Sequence, residues 1–268
     1  MDLRLTDRVA VVTGASKGIG LATVRALHAE GATVVATSRS VGPELEALIG
    51  PRLVHVPADL MDPAAPEQVV ERAVANFGGV DIVVNNAGGP PPGVTIPHGS
   101  FLEAKPADWL AVFQLNLFAA VGMVRAALPP LLSRGGGVIV NVSSANARQP
   151  SPMNVDYSAA KAALTNLTKA LSEEYAPQGI RVNAVSPGPV RTPWWTDEGG
   201  AADVIAGFTD SDRDTVMDRL APEMMRVSVG RMARPEEVAA MVTMLASPLS
   251  ASTTGADVVV DGGLLKEI

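Results

Sequence analysis

Tyr157 and Lys161 stand four residues apart in the segment Tyr157-Ser158-Ala159-Ala160-Lys161. In a helix that spacing puts both side chains on one face, one turn apart. A phenol titrates near about 10, too high for an efficient base at neutral pH. A fixed ammonium beside it would stabilise the phenolate and lower that value. A phenol tuned in this way can give a proton to a developing alkoxide or take one from an alcohol. A Tyr–Lys pair at helical spacing is also common on plain amphipathic surfaces, so the pair alone leaves both readings open.

A second constellation is Thr13-Gly14-Ala15-Ser16-Lys17-Gly18-Ile19-Gly20, which follows an apolar β-like run and opens a helical one. Gly14, Gly18 and Gly20 allow a tight turn, close approach to a pyrophosphate and close packing of helix on sheet. The helix start offers unpaired N–H groups and a positive dipole end, which suits phosphate. Ser16, Lys17 and Ile19 complete the turn. A dinucleotide site that prefers NAD(H) usually carries a carboxylate about 20 residues further on, for the ribose 2′-hydroxyl. Here the second strand ends Thr37-Ser38-Arg39-Ser40 without one. Lys17 and Arg39 are cations, and a guanidinium can grip a 2′-phosphate through two bonds. They would otherwise be ordinary solvated charges. Their placement favours NADP(H) over NAD(H), and the donors of Lys161 would then suit the cofactor ribose.

These groups need a scaffold. Apolar, β-branched runs at 8–13, 33–38, 53–57, 81–85, 138–143, 181–186 and 257–260 alternate with helical stretches near 18–30, 64–77, 106–133, 156–177 and 235–246. The alternation predicts an α/β fold, a Rossmann-type doubly wound parallel sheet of about seven strands with helices on both faces. No repeat or linker divides the chain, so residues 1–268 read as a single domain. Two stretches resist the pattern: 88–99, rich in Pro and Gly, and 187–229, of which 188–229 reads as a substrate lid.

Composition removes other classes. The net charge of -7 gives nucleic acid no concentrated basic face. The chain has no cysteine, hence no disulfide or thiolate site. His28, His55 and His98 lack metal-ligand spacing, so no metal is expected. Ser143-Ser144 is not set in a nucleophile elbow, which argues against a serine hydrolase. Neither a signal peptide nor an uninterrupted apolar run of about 18 residues is apparent, so no membrane span is expected and the cytoplasm is the expected compartment.

The motifs TGASKGIG (13–20), ADL (58–60), NNAG (85–88), Asn116, VSS (142–144), YSAAK (157–161) and PGPVRT (187–192) occur in that order. Together they resemble the short-chain dehydrogenase/reductase family along nearly the whole chain. The resemblance implies Tyr157 as catalytic acid/base and Lys161 as its electrostatic partner. It implies that Ser144 polarises the substrate oxygen and that Asn116 anchors a proton-relay water. Asp59 would accept from the adenine amino group with Leu60 beside the ring, and Asn86, Ala87 and Gly88 would lie near the adenosine. Pro187, Gly188, Val190 and Thr192 would meet the nicotinamide end. The family also implies a homotetramer through the helices near 106–133 and 156–177. The expected reaction interconverts a ketone or aldehyde with an alcohol. Trp194, Trp195, Phe208, Met217, Met224 and Met225 in the lid point to a partly apolar substrate, or merely pack the lid. A non-catalytic NADP(H) sensor, or a non-redox reaction on the same scaffold, is the competing expectation.

Overall fold

The computed structural model describes residues 1–98 and 100–267. Gly99, the last residue of the Pro- and Gly-rich stretch, and Ile268, the end of the expected domain, lie outside the described residues. Among the described residues, seven strands form one parallel sheet: β1 (Val9–Thr13), β2 (Thr33–Ser38), β3 (Leu53–Pro57), β4 (Ile82–Asn85), β5 (Gly137–Val142), β6 (Ile180–Pro187) and β7 (Asp257–Val260). Their order is β3-β2-β1-β4-β5-β6-β7. The β1 run VAVVT is buried at every position, as a strand covered on both faces must be.

Helices α1 (Gly18–Ala29), α2 (Ala65–Phe77), α3 (Pro106–Ser133), α4 (Val155–Tyr175), α5 (Ala201–Thr209) and α6 (Pro235–Ala246) follow in chain order. Alternation along each strand divides the packing between the two faces of the sheet. Ala10 and Val12 join Leu27 of α1 and Val242 of α6 in one core, while Val11 and Val83 join Val69 of α2 and Met123 of α3 in the other. Helix α2 starts later than Asp62-Pro63 suggests, because the Asp62 carboxylate accepts the Ala64 N–H and holds a turn there. It ends where Gly78 adopts φ 76°, a left-handed cap.

Two departures from expectation matter for the site. Helix α3 is interrupted by a π-helical turn over Gln114–Phe118, and it is long and apolar enough by composition to cross a membrane, with mean hydropathy 1.6. Scattered polar residues break its apolar run, so a search for an uninterrupted one passes over it. In the fold, α3 lies on the sheet and buries Asn116, Met123 and Leu131. The 188–229 stretch is largely helical: Pro193–Thr196, Ala201–Thr209 and residues 213–224 form turns around a small core of Trp195, Ala202, Val216, Met217 and Ala221.

Candidate active site

The strand order reverses at β1 and β4, and the crevice beyond their carboxyl ends is where open α/β sheets bind ligands. The Gly-rich turn leaves β1 at this point. Gly14 has φ 65°, and a Cβ there would come within 2.9 Å of Asn86 Nδ2. Thr13 Oγ1 accepts the N–H groups of Asn86 and Ala87, and Asn86 Nδ2 donates to Thr13 O, so the end of β1 is tied to the segment that follows β4. A continuous cleft of about 1110 Å³ runs from Arg39 and Asp59, past Ser16, Lys17, Gly18 and Ile19, to Ser144, Tyr157, Lys161 and Pro187. Ser38, Leu60, Asn86, Ala87, Gly88, Gly188, Val190 and Thr192 also border it. Gly20 stands behind the surface, where a Cβ would collide with Gly14 O. Asn116 is buried behind it as well.

Helix α4 carries Tyr157 and Lys161, and a polar ladder fixes it against the sheet. Asn85 Nδ2 donates to Asn141 Oδ1, and Asn141 Nδ2 donates to Thr168 Oγ1 at 2.8 Å. About two turns nearer the site, Ser143 Oγ donates to Lys161 O. These bonds are buried, so sliding α4 would leave several polar groups unpaired. Lys161 Nζ donates to Val142 O at 2.8 Å and lies 5.7 Å from the Tyr157 ring centre. Ser144 lies two residues beyond the end of β5, accepts the Asn146 N–H, and bonds the Tyr157 hydroxyl.

Asn116 sits in the π-helical turn, a local widening common at functional sites. Its Nδ2 donates to Val112 O and Gly89 O, while its Oδ1 accepts the Gly89 N–H. A Cβ on Gly88 would lie 2.8 Å from Asn116 Oδ1 and 3.1 Å from Lys161 Nζ. Gly88 therefore keeps open the space between those two groups.

The electrostatics differ from the sequence expectation. Loss of hydration pushes the Tyr157 phenol up to about 12, with the Ser144 hydrogen bond pulling the other way. Burial pushes Lys161 down to about 8. Desolvation thus outweighs the attraction of the ammonium, whose charge is turned toward Val142 O. Across the neutral range this phenol holds its proton, which equips it as an acid.

The two cations of the cofactor half also part company. Lys17 pairs with Asp197 of the 188–229 segment at 3.0 Å. Arg39 is exposed at the end of β2 and makes no ion pair among the described residues. Asp59 accepts the Met61 N–H. Of the six bulky residues singled out in the 188–229 segment, Trp194 alone has ring contact with Tyr157, at 6.2 Å between centres. Trp195 and Met217 pack inside the segment, and Phe208 and Met224 are exposed. Sequence reasoning missed Asn141, Thr168, His98 and Asp156. A polar residue inside the apolar run VIVNV was a signal for the first; the other three carried none.

A family model described as enoyl-(acyl carrier protein) reductase matches residues 14–265. The chain is 40% identical to L-xylulose reductase of Bos taurus, covering 99% of each, and 37% identical to cis-4-hydroxycyclohexanecarboxylate dehydrogenase of Sinomonas cyclohexanicum, covering 96% of each. Among solved structures, L-sorbose reductase from Gluconobacter frateurii, complexed with NADPH and L-sorbose, superposes with a TM-score of 0.89 at 33% identity over 100% of both chains. Fold and relatives together define an oxidoreductase on a Rossmann-type sheet. More narrowly, the chain belongs to the short-chain dehydrogenase/reductase family.

Proposed function

We propose that this chain is an NADP(H)-dependent reductase of a neutral, partly apolar ketone or aldehyde, and in reverse a dehydrogenase of the alcohol. The observation that carries the reading is the meeting of Tyr157, Ser144 and Lys161 at one end of a cleft whose other end holds the Gly turn and Arg39. The residues fit the cofactor. The first turn of α1 has no acidic residue, the end of β2 has no carboxylate, and Arg39 is free to meet a 2′-phosphate. The relative complexed with NADPH supports the same choice. When bound, the nicotinamide supplies the hydride.

The protein's own part is position and proton transfer. Gly14, Ser16, Gly18, Ile19 and Gly20 form the phosphate turn, and Asp59 and Leu60 border the adenine. Asn86, Ala87 and Gly88 line the middle of the cleft, with Pro187, Gly188, Val190 and Thr192 at the nicotinamide end. Lys161 bonds the ribose. Ser144 donates to the substrate oxygen, Tyr157 delivers its proton as the alkoxide develops, and Asn116 anchors the water that resupplies it. Lys17 is less available than Arg39 because Asp197 engages it, so Arg39 is the principal phosphate ligand. Among the described residues bordering Tyr157 in the cleft, Val94, Ile96 and Trp194 are apolar, which supports an uncharged substrate packed against the indole.

Residues 1–268 act as one domain with 188–229 as its lid, in the cytoplasm, as a homotetramer. The exposed side of α3, with Leu110 and Phe118 turned outward, supports subunit contact there. Sedimentation should give a four-chain species; a monomer at all concentrations would contradict that assembly.

The pH profile tests the proton transfer. Reduction needs the phenol protonated and the ammonium charged. With Tyr157 near 12 and Lys161 near 8, reduction should be nearly level below about pH 8 and fall as pH rises through it. Oxidation needs the phenolate and should climb with pH instead. A reduction rate that increases steadily into alkaline solution would contradict these assignments.

A further inference from the structure

We propose that the buried His98–Asp156 pair is a positioning device that holds both Tyr157 and the substrate-side wall formed by residues 90–97. The proposal rests on Tyr157 being the proton carrier. Helix α4 begins at Val155, and its N-cap residue Asn154 makes no side-chain capping bond. The Tyr157 N–H is one of the first-turn donors that a helix leaves without an internal partner. Asp156 Oδ1 accepts it at 2.8 Å. The other oxygen of that carboxylate, Oδ2, lies 3.0 Å from His98 Nε2. Asp156 is 0% exposed and His98 7%, so each group depends on the other for a partner that water cannot replace.

His98 also fixes the loop before it. Its N–H donates to Met153 O at 2.8 Å, which gives a second bond to the turn that leads into α4. At the loop's other end, Gly89 exchanges two hydrogen bonds with the Asn116 side chain. The loop is thus strung between the π-helical turn that bears Asn116 and the helix that bears Tyr157. Along it, Val94 and Ile96 border the cleft and pack in one cluster with Tyr157, Ala160 and Trp194. Removing the His98 donor would leave the Asp156 carboxylate half-satisfied and free to rotate. Both the backbone of Tyr157 and the wall facing the substrate would lose their fixed position. The adenosine end of the cleft touches none of these bonds.

The test uses the full chain and compares His98→Phe, which keeps volume but removes the donor, with His98→Gln, whose amide reaches the position of Nε2. Well below the melting temperature, His98→Phe should lower kcat about tenfold and raise the substrate KM, with the NADPH Kd unchanged. His98→Gln should recover most of kcat. If His98→Phe does not fold, His98→Asn, too short to reach Asp156 Oδ2, replaces it with the same expectation. A variant without the donor that melts earlier yet keeps wild-type kcat and KM overturns the proposal, as does a His98→Gln no better than His98→Phe. Tyr157→Phe assayed alongside separates the two levels. Retained turnover there removes the underlying reading and this proposal with it. An inactive Tyr157→Phe beside a fully active His98→Phe removes the positioning role alone.

Discussion

Tyr157→Phe should lower carbonyl reduction by about 10³-fold while leaving the NADPH Kd close to that of the parent chain. The substitution removes one oxygen. The ring keeps its packing against Trp194, Val94 and Ile96, so the site should retain its shape. What disappears is the proton donor, held protonated by burial that pushes it up to about 12. Ser144 then loses its partner and can only hydrogen-bond the substrate oxygen. A hydroxyl that polarises without delivering a proton leaves the alkoxide uncompensated in a dry site, where charge is costly. Stopped-flow rates with saturating cofactor, together with a fluorescence titration of NADPH, separate loss of chemistry from loss of binding. Turnover within a few-fold of the parent would mean that the proton comes from another group.

Arg39→Ala should weaken NADPH about thirtyfold and NADH hardly at all, the difference expected when a charge-assisted bond to a phosphate is lost. Arg39 projects from the end of β2 without an ion-pair partner among the described residues, so its removal frees no buried charge. Lys17→Ala should cost less, because Lys17 is shared with Asp197 across the mouth of the cleft. The comparison of the two cofactors is informative because they differ only at that phosphate. Equal losses for NADPH and NADH would place Arg39 elsewhere on the cofactor, or off it.

Much of the frame was legible in the sequence for a simple physical reason. Strands buried on both faces are apolar along their length, and a run such as VAVVT, short, rich in Val and ended by a Gly-rich turn, reads as one. The bounds 33–38, 53–57 and 257–260 match β2, β3 and β7 residue for residue. The Tyr157–Lys161 pair was legible because helical spacing is local. Contacts between distant segments were not. His98 and Asp156 are 58 residues apart, and Lys17 and Asp197 are 180 apart. No periodicity links such pairs.

The helices of residues 188–229 were hidden because that segment mixes Gly, Asp and Thr with scattered apolar groups and shows no sustained helical stripe. Its six bulky residues read as one set; in the fold they divide between the segment's own core, its surface and the contact with Tyr157. The direction of the Tyr157 shift was hidden for another reason. Spacing places an ammonium near a phenol, but it does not say how much water the fold removes from either, and here desolvation decides.

The most direct test of the central claim is the consumption of NADPH and, separately, NADH by the wild-type chain against a panel of ketones and aldehydes that spans apolar cyclic, linear and carboxylate-bearing compounds. Steady NADPH oxidation with one or more uncharged, ring-containing carbonyls, and far slower turnover with NADH, is the predicted result. NADPH that binds but is not oxidised by any carbonyl in the panel would contradict the claim and favour a cofactor-sensing role for the same cleft.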